Sequence, residues 1–214
     1  APLIANWLIS IYDWRVSYII LGGSASAIVV LVAQFLRYDP AQIGQVPYGE
    51  NTGIDQELSL EADSITLRAA VGTRQFWLLF FMNFCVGFYI FATTVHIVPN
   101  AINLGISPAT AAGILATIGG LSIAGKIALG GAANRIGNRN AFIISFILVA
   151  AAFFWLAPAQ EGWQIYLFAI IYGFAYGGCE AQWAPMAATL FGLGSLGLIL
   201  GTVAIGFSIG SALG

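Results

Sequence analysis

The sequence predicts an all-α membrane protein, a polytopic bundle of transmembrane helices, on three observations. Hydrophobic residues make up 59 % of the chain and charged residues 7 %, with a mean hydropathy of +0.89. An ordinary soluble domain carries about 25 % charged residues, so this chain cannot clothe a water-facing surface. The apolar residues gather into runs of the ~20 residues that a spanning helix requires. Between the runs lie short segments of turn chemistry: "PNAINLGISP" at 99–108, "NRIGNRN" at 134–140, "APAQEG" at 157–162 and "FGLGSLG" at 191–197.

Taken in order, residues 1–11 read as the outgoing end of a helix. Full spans are expected at 16–36, 76–98, 108–131, 141–157 and 163–187, and a further one begins near Ser195. Ser107 is a plausible N-cap, with Pro108 at the first helical position. The chain begins without Met and stops inside an apolar run, so it reads as a piece cut at both ends. Cys85 and Cys179 lie in apolar runs and read as small buried hydrophobes, not a disulfide.

Orientation follows from the arginines. Arg37, Arg68 and Arg74 fall in the 37–75 connector, Arg135 and Arg139 in the 132–140 loop, and only Arg15 falls on the other side. The positive-inside rule makes both loops cytoplasmic. The connector holds six of the nine acidic residues and is too short for a catalytic domain; its "LSLEADSITLRAA" suits a short amphipathic helix on the membrane surface. A polar connector between blocks of spans suggests two halves of one transporter. No basic tract suggests nucleic acid. One His and two distant Cys make no metal site, and no nucleophile–base set or phosphate loop is present, so neither a cofactor nor an enzyme activity is expected.

"HIVPNAINLGISPATAAGILATIGGLSIAGKIALGGAANRIGNRN" resembles the seventh and eighth helices of major facilitator superfamily transporters, in particular the monocarboxylate and oxalate/formate-type carriers. The superfamily's Gly-x-x-x-Asp-Arg-x-Gly-Arg/Lys loop is approximated by Gly130, Asn134, Arg135, Gly137 and Arg139. Asn134 departs from it, standing where the family favours aspartate. "DWRVSYIILGG" and "QFLRYDP" resemble the sixth helix, and "YGGCEAQWAPMAATLFGLGSLGLILG" the region of helices 10 and 11. The resemblance implies a carrier of two six-helix bundles, with substrate bound between them near the midplane and access alternating as the halves rock. It assigns 1–39 to the end of the N-terminal bundle (the end of helix 5, and helix 6). It makes 40–75 the cytoplasmic central loop and 76–214 helices 7–10 with part of 11. Helices 1–4 and 12 would lie outside this chain.

Two charges stand inside the spans. Lys126 interrupts a stretch, 76–125, without any Asp, Glu, Lys or Arg. It is placed five residues before the expected cytoplasmic end, ~7.5 Å at 1.5 Å per residue. The plain reading is a lysine snorkelling to the interface. Its face argues for more: Gly119, Ser122 and Gly130 at i−7, i−4 and i+4 suit a close helix contact or a cavity wall, not lipid. A charge at the bilayer centre costs about 2.5–3.5 kcal/mol by insertion scales, so such residues usually face the interior and serve a function. An ammonium is a natural counter-charge for a carboxylate substrate, and the resembled branch places a cation on this helix to hold one. Glu180, with Tyr176 and Trp183 on its face, is the candidate for proton coupling; its plain reading is a helix-end glutamate near the cytoplasmic interface or a structural hydrogen-bond partner. A direct Lys126–Glu180 pair stays open at this stage.

His96 is the lone histidine. Tyr89, Thr93 and Asn100 fall at i−7, i−3 and i+4, and Pro99 is expected to end or kink the helix one turn later. Tyr89, Thr93 and His96 join Lys126 as candidate substrate-binding residues, although a lone His near an interface is commonly structural. Gly197, Gly201, Gly206, Gly210 and Gly214 form small-xxx-small pairs, for which tight helix packing suffices. The expectation is a multi-pass cell-membrane carrier of small organic anions, with protons and lipids as further partners. The alternatives are a proton-coupled exporter of drugs or metabolites, and a non-transporting sensor or scaffold of the same fold.

Overall fold

The computed structural model describes residues 7–9, 11–34 and 65–214. Beyond the helical residues 7–9 and 11, the described residues hold six long helices and one short one, with no strand: α1 (Trp14–Ala33), α2 (Leu67–Val71), α3 (Arg74–Asn103), α4 (Pro108–Ile136), α5 (Asn138–Leu156), α6 (Gly162–Phe191) and α7 (Leu196–Leu213). Chain contacts divide the protein into two compact units, Ala1–Ala62 and Asp63–Gly214. In the first, Asp13 caps α1 by accepting a hydrogen bond from the Trp14 amide at 2.8 Å. Most of α1 is bare apolar surface, with Ile19 73 % exposed, as suits a helix in lipid.

Five helices are long and apolar enough to cross a membrane: α1, α3, α4, α5 and α7. The sixth expected span is also a helix, of 30 residues. Polar and small residues lower its hydropathy because it is the hub of the second unit: it carries more buried residues than any other described helix.

The helices overrun the expected spans. The 132–140 loop collapses to a single residue, Gly137, at φ 84°, where a side chain would be strained. Asn140 Nδ2 donates to the Ile136 carbonyl at 2.8 Å and satisfies the end of α4. Pro99 does not end its helix; α3 runs on to Asn103. Of the expected surface helix in the connector, Leu67–Val71 is helical, capped by Thr66, and residues 58–64 lie outside the described residues.

Two parallel pairs organise the second unit. In the first, α4 lies against α6: a Cβ on Gly173 or Gly177 would collide with the backbone of Ile118 or Ser122, and one on Gly125 with that of Phe174. In the second, α7 lies against α3, and the GxxxGxxxG at 206–214 seats on the carbonyls of Phe80, Phe84 and Phe88. Of the five glycines expected to pack tightly, Gly206, Gly210 and Gly214 do so, whereas Gly197 and Gly201 face open space. Helix α5 covers the remaining flank of α6.

Two apolar cores form at different depths. Ile97, Ala101, Ile114, Val149, Phe168 and Tyr172 belong to one. Phe76, Leu79, Ala187, Phe191, Ile199 and Val203 make the other, next to α2 and the arginine-bearing ends of the helices. Tryptophans mark both ends. Trp77 donates to the Val71 carbonyl at 3.0 Å, while Trp155 and Trp163 meet edge to face at 6.0 Å, with Trp163 bonded to Glu161. This is the usual interfacial place for the residue.

Candidate functional site

Between the two cores the bundle is polar. Lys126 is the 19th residue of the 29-residue α4, ten residues from its end, so it lies ~15 Å inside the helix. That is twice the depth expected from the sequence, because α4 continues to Ile136. Glu180 is the 19th residue of the 30-residue α6. Parallel packing brings the two to one level, and Lys126 Nζ lies 2.6 Å from Glu180 Oε2. Tyr176, one turn earlier on α6, donates its hydroxyl to Glu180 Oε1 at 2.5 Å. Both carboxylate oxygens are therefore engaged, one by a cation and one by a neutral donor. Among the described residues this is the single ion pair.

The register of that pair is set by the glycines. Gly125 and Gly177 let the α4 and α6 backbones touch just N-terminal to it, at Phe174 and Ser122. Gln182, buried, donates to the Leu129 carbonyl at 3.0 Å and ties α6 to α4 one turn further on. The pair is not sealed: the side chains of Lys126 and Glu180 are 47 % and 34 % exposed. Glu180 also borders a cavity of about 190 Å³ with Asn83 and Val86 of α3, Cys179 and Trp183 of α6, and Ala204 and Phe207 of α7. Its walls are mostly apolar, so a bound solute would meet one charged pair, one amide and a tryptophan.

The other sequence candidates separate from this centre. Tyr89 is held by aromatic edges from Phe146, Phe153 and Tyr172. Its hydroxyl and that of Thr93 are buried without a well-formed hydrogen bond, although Tyr89 faces the Cys179 thiol and Thr93 faces the Tyr172 hydroxyl. An unmade bond at a buried hydroxyl costs about 1–3 kcal/mol. His96 and Asn100 are exposed and share with Thr93 a second cavity, of about 290 Å³, closed on its far side by Phe153 and Leu156. The loop motif is dispersed: Gly130, Asn134 and Arg135 are in the last turns of α4, Gly137 is the turn, and Arg139 opens α5, with both arginines exposed.

Sequence reasoning missed Tyr172, which sits among aromatic residues and reads as core. It also missed Asn83, a single amide in an apolar stretch. No cluster of His, Cys, Asp and Glu among the described residues could hold a metal ion.

A bundle of membrane-length apolar helices, closely packed on glycine, defines a multi-pass integral membrane protein. The chain matches the Major Facilitator Superfamily over residues 1–214. It belongs to that family, whose proteins move small molecules across membranes and are not enzymes.

Proposed function

We propose that this protein is a cell-membrane secondary transporter of small organic anions, of the monocarboxylate or oxalate/formate kind, working by alternating access with proton coupling. The observation that carries the reading is the Lys126–Glu180 pair. Lys126 is the site for the substrate carboxylate, and Glu180 is the internal counter-ion that holds the ammonium when no substrate is present. A free anion and the Glu180 carboxylate compete for one cation. Protonation of Glu180 removes the competitor and leaves a net positive site, so one anion and one proton enter together and the loaded site returns to neutrality. Tyr176 keeps a hydrogen bond to Glu180 in either state, because a hydroxyl both donates and accepts.

In this reading residues 1–39 close the N-terminal bundle, 40–75 connect the halves, and 76–214 belong to the C-terminal bundle. The ends bearing Arg68, Arg74, Arg135 and Arg139 are cytoplasmic. The apolar walls of the cavity, above all Trp183 and Phe207, favour export of amphipathic solutes as the second reading.

Uptake into proteoliposomes, with mono- and dicarboxylates, amphipathic cations and neutral solutes each tested under an imposed pH gradient, separates the two. Carboxylates are expected to accumulate when the outside is acid. Accumulation of cations with no response to any carboxylate overturns the anion reading. For sidedness, a cysteine at Asn134, introduced after replacement of Cys85 and Cys179, should stay unlabelled when an impermeant thiol reagent is added to intact cells. Labelling from outside reverses the orientation.

A further inference from the structure

Two buried hydroxyls without a well-formed hydrogen bond are unusual in one small region, since buried polar groups are almost always paired with protein or water. Tyr89 and Thr93 are such a pair, and they do not lie at random. Thr93 contributes to the wall of the cavity lined by His96 and Asn100, with its hydroxyl oxygen buried behind that wall. On its other side it faces Tyr172. Tyr172 stacks on Tyr176 with ring centroids 6.3 Å apart, one helical turn along α6. Tyr176 bonds Glu180, which bonds Lys126. Hydroxyls thus run in file from an exposed imidazole toward the membrane-embedded carboxylate.

We propose that buried water joins these hydroxyls into a proton path from the His96 cavity to Glu180. Water fits the unmade bonds: a site with two to four polar partners is where an internal water is stable, and Tyr89, Thr93, Tyr172 and Cys179 supply them. The transfer needs no ionised tyrosine. Tyr176 gives its proton to Glu180 Oε1 and takes one from the water beside it. That water is replenished through Tyr172 and Thr93, and His96 passes in one proton from outside while Glu180 gains one. No bond other than O–H and N–H changes. His96 is faced by Thr93 and Asn100 from its own helix and by Phe153 and Leu156 from α5. Glu180 is faced by Lys126, Tyr176, Asn83 and Trp183.

The path rests on the reading of Glu180 as the proton acceptor, and the tests keep the two apart. Thr93→Val keeps the shape and removes the hydroxyl. In proteoliposomes carrying an internal pH dye, this variant and Tyr172→Phe should slow anion-driven proton entry about tenfold or more, the scale on which a positioned proton donor acts. Anion-for-anion exchange, which moves no net proton, should be unchanged in Tyr172→Phe, and Thr93→Ser should restore the wild-type rate of proton entry. Radiolytic footprinting, which marks side chains beside bound water, should label Tyr172 in the wild type and lose that label in Thr93→Val. An unlabelled wild-type Tyr172 overturns the path whatever the carrier couples to. Full proton entry in Thr93→Val and Tyr172→Phe overturns the path and leaves Glu180 as acceptor. A wild-type carrier that moves no proton with its anion overturns both.

Discussion

Lys126→Gln should insert and fold normally but bind carboxylates about 30- to 150-fold more weakly than the wild type. The figure follows from the charge pair that the substrate replaces. Losing one partner of a hydrogen-bonded charge pair costs about 2–5 kcal/mol. The side chain of Lys126 is 47 % exposed, so water screens it and the lower part of that range, ~2–3 kcal/mol, applies; each 1.4 kcal/mol is tenfold. Lys126→Arg should retain part of the affinity, since the charge stays while the shape of the donor changes. Lys126→Ala should behave as Lys126→Gln does. The measurement is protection of the purified carrier against heat by a panel of monocarboxylates and dicarboxylates. A lysine that merely reached for the interface would make Lys126→Gln indistinguishable from the wild type, and equal protection of both proteins removes Lys126 from the substrate site.

Glu180→Gln has the opposite effect on binding and an equally large one on coupling. The amide cannot hold the ammonium as a carboxylate does, so Lys126 is free at every pH. Carboxylate affinity at neutral pH should rise, and its pH dependence should vanish. In the wild type the Glu180 carboxylate holds the ammonium and competes with the substrate for it. Exchange should survive in the variant while accumulation against a gradient is lost, since nothing carries the proton. Titrating substrate protection of Glu180→Gln against pH checks this. A pH profile that follows the wild type makes Glu180 a structural residue. The double variant Lys126→Gln, Glu180→Gln removes both charges at once; it should be at least as stable as the wild type, as is common when a pair is replaced without leaving an orphan, and should bind no carboxylate by charge.

The existence of the spans was legible because lipid imposes a length and a composition that few other structures share. Their ends were not. The sequence suggests a stop at the first polar cluster, whereas α4 and α5 are separated only by Gly137, and Asn140 caps the carbonyl end that a loop would have left open. Lys126 and Glu180 were legible for the same reason that the spans were: a charge in an apolar run is conspicuous. Their partnership was not, because the two residues are brought together by the contact of Gly125 and Gly177 with the neighbouring helix backbone, and a glycine does not announce its partner. Tyr176 was placed on the face of Glu180 by helical spacing alone, and the bond is there. Tyr89, Thr93 and His96 shared a stripe as expected, yet the stripe turns toward α5 and α6 rather than toward Lys126. A periodicity gives a face but not the neighbour it meets.

The glycine contacts have a mechanical side. Where α4 meets α6, and where α3 meets α7, backbone rests on backbone with no side chain between. Such joints have no rotamers to adjust, so each pair is stiff and moves as one plank. The two planks touch each other mainly through Leu79, Phe76, Phe191 and Val203 at one end and Ile97 and Ala101 at the other, with the cavity beside Glu180 between them. Side chains of this kind can slide past one another at low cost. The compliant plane of the second unit therefore runs through the cavity, between the plank that carries Lys126 with Glu180 and the plank that carries Asn83 with Phe207. Shear along that plane widens or narrows the cavity mouth and leaves the ion pair intact, because both of its members ride on the same plank.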